Sequence, residues 1–284
     1  MLATELKRAV TTSLSDLLGN AVRVLGSKPV GGGCIHQATQ IKTNQGDYFL
    51  KFNHLGEAEN FSAEVHGLEQ LANTKTLSCV TSKHAFILME FLPPAPPAPQ
   101  HWEIFGAELA ALHRSTAPQY GLGRPNFIGR LHQSNQPHDV WVDFFIQERL
   151  EAQLKLAEQN GLASSDLRRS FEALYPRLEQ LLPQEPASLL HGDLWSGNFL
   201  IGPEGKACVV DPAVYHGHRE AELSFTTLFG GFDQRFYAAY QEAWPLQPGW
   251  RERIDLFNLY PLLVHLNLFG SGYLSQIRSI LRIY

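Results

Sequence analysis

Apolar positions along this chain change period partway, and the change separates two kinds of architecture. Between residues 28 and 52 the order is strand, glycine turn, strand, the turn Thr43-Asn44-Gln45-Gly46-Asp47, then a third strand Tyr48-Phe49-Leu50-Lys51-Phe52. Phe61, Val65, Leu68 and Leu71 follow at helical spacing, and residues 85–91 form a short apolar run suited to a buried strand. The N-terminal part therefore reads as a β-meander with one key helix. After residue 100 the period is helical, first through Trp102, Phe105, Leu109 and Leu112, then through Trp141, Phe144, Phe145 and Leu154 with Asn160-Gly161 as C-cap. Leu167, Phe171, Leu174, Leu178 and Leu181 continue it behind a cap at Ser165, and residues 257–269 supply another apolar helix. Two short apolar segments, Ser188-Leu189-Leu190 and Ala207-Cys208-Val209-Val210, interrupt the helices, and each runs directly into charged residues.

The run Pro-Pro-Ala-Pro-Pro-Ala-Pro at residues 93–99 is the sharpest break, because five prolines remove five backbone donors and favour an extended path. It predicts a nucleotide-binding lobe over residues 1–92 and a catalytic, substrate-binding lobe over residues 93–284. With 284 residues, 44% of them hydrophobic, each lobe can bury a core and a disordered chain is excluded. A net charge of −5 with no run of basic residues longer than two argues against nucleic acid as a partner. Cys34, Cys79 and Cys208 form no CxxC pair, which excludes a readable disulfide framework or thiolate zinc site and fits a reducing compartment. No signal peptide is visible, and the apolar stretch at 256–269 is short and interrupted by Asn258, Pro261, His265 and Asn267, so a cytoplasmic protein without membrane contact is expected.

The two charged junctions carry the chemistry. The first is His191-Gly192-Asp193-Leu194-Trp195-Ser196-Gly197-Asn198; the second is Val209-Val210-Asp211. Either aspartate alone is more simply a turn or helix cap. Together they match, in order and strand context, the loop that supplies a base and the metal ligands of phosphoryl transfer. On that reading Asp193 is the base, and Asn198 and Asp211 are oxygen ligands for Mg²⁺. Lys51 then becomes the lysine that positions the ATP phosphates, where otherwise it could sit on a solvated strand face. Its partner is Glu64, preferred over Glu57, Glu59 and Glu69 because Phe61 and Leu68, three before and four after, set it beside the buried stripe.

Gly31, Gly32, Gly33 and Cys34 would form a phosphate-covering flap, although an ordinary hairpin turn reads the same; no GKS or GKT follows, so it is not a Walker A loop. Met89, Glu90, Phe91 and Leu92, at the end of the last strand before the prolines, would form the adenine hinge. Trp195 and His216 are assigned to the substrate, with core packing an equal alternative for Trp195. A metal site at His216 and His218 lacks a third ligand.

These residues resemble the fructosamine kinase (ketosamine 3-kinase) family. The likeness rests on the 191–198 run, on Asp211-Pro212-Ala213, on Tyr215-His216-Gly217-His218-Arg219-Glu220-Ala221-Glu222, and on Gly32-Gly33-Cys34-Ile35, Phe49-Leu50-Lys51-Phe52, Leu109-Ala110-Ala111-Leu112-His113-Arg114, Asn126-Phe127-Ile128-Gly129, Arg149-Leu150 and Leu228-Phe229-Gly230-Gly231-Phe232. It covers roughly residues 20–284. The resemblance implies an α+β, two-lobed protein-kinase-like fold. It also implies ATP- and Mg²⁺-dependent phosphorylation of the 3-hydroxyl of sugar adducts on amines, free or protein-bound, leading to deglycation. A kinase of another amine or alcohol, of aminoglycoside or choline type, and a nucleotide-binding pseudokinase are the alternatives; the oligomeric state stays open. The chain departs from the family at Tyr215-His216, where Tyr-Tyr-Gly-His is usual, and at Glu222, where aspartate is usual.

Overall fold

The structure, a computed structural model, describes residues 2–31, 37–53, 58–71, 76–80 and 85–284. It begins with helix α1 (Thr4–Leu18), which the meander reading omits. Leu6, Val10 and Leu14, four residues apart, bury a narrow stripe against Ile41, Leu50, Phe86 and Leu88. Only three of its 15 residues are buried, and the sheet beneath supplies the packing surface.

That sheet is antiparallel, with strands β1 (Val24–Pro29), β2 (Gln37–Thr43), β3 (Gly46–Asn53), β4 (Thr76–Val80) and β5 (Ala85–Glu90) in the order β1-β2-β3-β5-β4. Helix α2 (Ala58–Leu71) connects β3 to β4. Strand alternation divides the residues between the two faces. Leu50, Phe86 and Leu88 pack with α1, whereas Ile87 and Met89 pack with Phe61, Val65 and Leu68 of α2. Lys51, opposite Ala38 and Ile87 in the ladder, shares the α2 face, which brings a strand lysine and a helix glutamate together.

Beyond the proline run, α3 (His101–His113) is followed by β6 (Thr116–Ala117) and the short hairpin β7 (Asn126–Ile128) and β8 (Leu131–Gln133). Residues 141–159 form one rod: α4 (Trp141–Phe144), a π-helical stretch (Phe145–Glu151) and α5 (Ala152–Gln159). Within the π stretch Arg149 is fully buried, stacked 4.0 Å from the Tyr215 ring centroid and donating to Ser134 O and Asn135 Oδ1. Helix α6 (Ser165–Leu174) is capped by Ser164 rather than Ser165, because the capping hydroxyl must reach the N–H three residues on, here Leu167. It continues through a 3₁₀ turn (Tyr175–Arg177) into α7 (Leu178–Leu181).

The remaining elements are β9 (Ala187–Leu190), β10 (Phe199–Ile201), β11 (Ala207–Val209), β12 (Tyr215–Gly217), α8 (Arg219–Phe225), α9 (Gln234–Ala243), α10 (Trp250–Phe269) and α11 (Leu274–Leu281). Leu256, Phe257, Leu259 and Leu263 of α10 pack with Phe144, Phe145 and Leu154 in the largest core cluster. A second cluster joins α3 and α9 and includes Leu71 at the end of α2, so α2 is tied to both the sheet and the helical part. Among the described residues no helix is long and apolar enough to cross a membrane.

Candidate active site

The two charged junctions fold as loops after short strands, β9 and β11, and one side-chain and two backbone hydrogen bonds stitch them together. His191 Nε2–H donates to Val210 O at 2.9 Å, Ala213 N–H to His191 O at 2.9 Å, and Val210 N–H to Asn198 O at 2.9 Å. With Nε2 protonated, His191 Nδ1 is left as acceptor for Asp193 N–H, at 3.2 Å. Burial lowers the His191 pKa and keeps the ring neutral. Gly192 has φ +82°, and a Cβ there would lie 2.1 Å from Ala213 O, so only glycine permits this approach of the loops. Gly197 is small for another reason: a Cβ would lie 2.4 Å from the Trp195 ring, which folds back over its own loop and meets Phe229 edge-on.

A cavity of about 160 Å³ gathers Lys51, Glu64, Asp193, Trp195, Asn198 and Asp211 on its walls. Lys51 Nζ donates to Glu64 Oε2 at 2.7 Å and to Asp211 Oδ1 at 2.9 Å, making a buried bridge between sheet, helix and second loop. Burial opposes the ammonium, but the carboxylates of Glu64 and Asp211 outweigh it and raise the Lys51 pKa, so the lysine stays charged. Burial pushes Glu64 up to about 7 against the pull of Lys51, with Asp211 adding to the rise. Asn198 Nδ2 donates to both the backbone oxygen and Oδ2 of Asp193, at 2.8 Å each. Burial, reinforced by the charge of Asp211, holds the Asp193 carboxyl well above the usual range despite that bond.

The donor set suits a hard divalent cation bound together with phosphates. Three carboxylates face one ammonium, and Glu64 Oε1 is buried without a hydrogen-bond partner. Asn198 spends its nitrogen on Asp193, which leaves Oδ1 for a cation, and Asp211 commits only Oδ1 to Lys51. Among the described residues no group of three or more His, Cys, Asp or Glu side chains is placed to hold a metal ion by itself.

Other expected residues fall outside this cavity. Met89 is buried on the α2 face of the sheet, Glu90 ends β5 exposed, and Phe91 and Leu92 begin the extended linker. Gly31 is exposed, with open space around it; Gly32, Gly33 and Cys34 lie outside the described residues. His216, expected beside the substrate, does not line this cavity; its backbone pairs with Gly121, in both directions at 2.8 Å. Both ring nitrogens of His218 are engaged, by Pro183 O and Glu220 N–H.

Several residues around the site carry no assigned role in the sequence reading. The β7 hairpin contributes Asn126 and Phe127 to the cavity wall, and Asn126 is anchored by donating to Val214 O at 2.7 Å. Helix α10 contributes Val264, His265, Leu268 and Phe269. Glu222, buried in α8, accepts from His191 N–H at 3.1 Å, Gly192 N–H at 2.7 Å and His113 Nε2–H at 2.8 Å, holding the first loop from below.

Comparisons with known proteins identify the family. A family model described as fructosamine kinase matches residues 6–284. A probable ketoamine kinase of Enterococcus faecium is 39% identical over 280 residues, covering 96% of this chain and 98% of its own. A chloroplastic protein-ribulosamine 3-kinase of Oryza sativa subsp. indica is 36% identical, covering 94% of this chain and 80% of its own. The crystal structure of a candidate fructosamine-3-kinase from Thermobifida fusca superposes with a TM-score of 0.84 at 32% identity, covering 96% of this chain and 97% of its own. Aminoglycoside phosphotransferase APH(4)-Ia, at 15% identity and a TM-score of 0.60, shares the protein-kinase-like fold. By the extent of the family match and the identity to these relatives, the chain belongs to the fructosamine kinase family.

Proposed function

We propose that this chain is an ATP-dependent kinase that phosphorylates the 3-hydroxyl of ketosamines, on small amines or on proteins, in a reducing cytoplasmic setting. The observation that carries the reading is the convergence of Lys51, Asp193, Asn198 and Asp211 in one cavity inside a fructosamine kinase family fold. Names of the relatives, ketoamine kinase and protein-ribulosamine 3-kinase, support the acceptor class.

Asp193 accepts the proton of the attacking hydroxyl. Its raised pKa makes it a stronger base than an ordinary aspartate, and Asn198 fixes the carboxylate by donating to Oδ2. Lys51, oriented by Glu64, meets the donor phosphates. Asn198 and Asp211 would hold Mg²⁺, which when bound neutralises charge on the phosphates. Trp195 offers an aromatic face to the sugar or its amine. Positioning and charge neutralisation supply most of the rate in such a reaction. The lobe division at residues 92/93 belongs to this proposal, with the nucleotide between the sheet and the larger helical part.

The test is ATP consumption against a panel of ketosamines, aminoglycosides and choline, with the phosphorylated carbon located by NMR. Turnover of ketosamines at O3 is expected. Turnover confined to an aminoglycoside or choline, or nucleotide binding with no turnover, would overturn the reading.

A further inference from the structure

Helix α10 brings to the cavity a polar side chain that the phosphoryl-transfer groups do not use. His265 lines the main cavity together with Asp193, and also lines a smaller one of about 30 Å³ adjoining it. His265 Nδ1 lies 2.7 Å from Pro261 O, one helical turn back. A carbonyl only accepts, so Nδ1 carries the proton and Nε2 of the neutral ring is a lone-pair acceptor. Burial lowers the ring's pKa, which favours that neutral form. Among the described residues no protein donor meets Nε2.

The ring is fixed in place by its neighbours. Phe229 lies 4.7 Å away by ring centroid, Tyr273 5.2 Å and Phe269 5.4 Å. Val264 and Leu268 complete that stretch of cavity wall with apolar surface. An acceptor nitrogen set in an aromatic and aliphatic wall is the arrangement that binds a sugar, whose C–H face packs on rings while a hydroxyl donates one oriented hydrogen bond. A substrate ammonium would find its counter-charge elsewhere, at Asp193 and Asp211.

We propose that His265 is a specificity-determining residue of the acceptor site: its Nε2 accepts a hydrogen bond from a sugar hydroxyl other than the one phosphorylated, setting the sugar in register with Asp193. The proposal rests on the ketosamine kinase reading above. A site built to accept from a hydroxyl discriminates against an analogue that lacks it, since an acceptor covered by the bound sugar is then left unpaired.

The experiment compares wild type, His265→Phe and His265→Gln on Nε-fructosyl-lysine and its 4-, 5- and 6-deoxy analogues, with thermal melting as the folding control. Phenylalanine keeps the ring among its aromatic neighbours and removes the acceptor; glutamine restores an acceptor oxygen. Expected for His265→Phe is a rise of about 10-fold in KM for fructosyl-lysine with KM for ATP unchanged, partly recovered in His265→Gln. One deoxy analogue should be used equally well by wild type and His265→Phe, identifying the bonded hydroxyl. An acceptor KM within twofold of wild type, or a loss spread equally over every analogue, overturns the inference alone. A wild type inert on fructosyl-lysine overturns the ketosamine reading and this inference with it.

Discussion

Replacing Glu222 by glutamine tests whether the loop carrying Asp193 is held by a buried carboxylate. In the folded protein that carboxylate takes three donors: Oε2 accepts from His113 Nε2–H and His191 N–H, and Oε1 accepts from Gly192 N–H. His113 is itself fixed, with Nδ1 accepting from Tyr240 OH at 2.8 Å. Glutamine has a single acceptor oxygen. With that oxygen in the Oε2 position, Gly192 N–H faces an NH₂ group; with the amide flipped, His191 N–H loses its partner, even if His113 changes tautomer. Either way one buried N–H is orphaned, at roughly 1–3 kcal/mol, and the other two bonds lose their charge assistance, at about 1 kcal/mol each. The sum is about 3–5 kcal/mol, or roughly 6–10 °C in Tm for a chain of this size.

Because Gly192 adjoins Asp193, the same substitution should lower kcat by about 10- to 100-fold through misplacement of the base, while KM for ATP, set at Lys51, stays put. The pH dependence adds a second readout. Burial pushes the Glu222 carboxyl up, but the bonds from His113 and Gly192 outweigh it and hold the pKa below its ordinary 4.5. Its stabilisation is therefore fully present above pH 4.5 and is lost as pH falls through the folded value. Wild type and Glu222→Gln should thus converge in stability on the acid side. Urea melts across pH and steady-state kinetics check both effects, and a Glu222→Gln protein with unchanged Tm and a kcat within threefold of wild type would falsify the clamp.

Three other substitutions probe the loops directly. Asp193→Asn should lower kcat by at least ~10²-fold with ATP affinity intact, measured by steady-state kinetics, and a fully active variant removes Asp193 as base. Asp211→Asn should abolish the rise in Tm that Mg²⁺ with ATP produces in wild type; an unchanged rise places the cation elsewhere. Gly192→Ala should cost more than 3 kcal/mol in urea unfolding, because its Cβ would sit 2.1 Å from Ala213 O at φ +82°, and a melt like wild type would contradict that approach of the loops.

Much of the site was legible in the sequence because its parts are local. Lys51 sits in an alternating strand, and Glu64 flanks a helical stripe; the sheet's pleat then puts both on one face. The two aspartate loops stand out because a very short apolar strand precedes each. What the sequence concealed is non-local. His113 and Glu222 meet across 109 positions, and neither shows a partner within its own helix. The hairpin at Asn126 and the His265 face of α10 reach the cavity through tertiary packing that no periodicity encodes. Helix α1 is hard to read because only three of its residues form the buried stripe, and the placement of His216 in β12, opposite Leu189, depends on a ladder that no local pattern encodes.

Stitching the two loops into one body explains how the fold maintains a strained residue where the chemistry needs it. Asp211 adopts φ +56°, a left-handed conformation that costs about 1 kcal/mol for a residue with a Cβ. It persists because both sides are tied down: Val210 N–H to Asn198 O before it, Ala213 N–H to His191 O after it, and its own Oδ1 to Lys51. The same bonds fix Asn198 and His191, and through His191 Nδ1 the backbone of Asp193. The three carboxyl- and amide-bearing residues of the two loops therefore form one mechanical unit, and Lys51 is the link that couples it to the sheet. The 2.9 Å ion pair of Lys51 with Asp211 ties this unit to the sheet, and the packing of Gly67 in α2 beside Pro212 and Val214 adds a second contact to it.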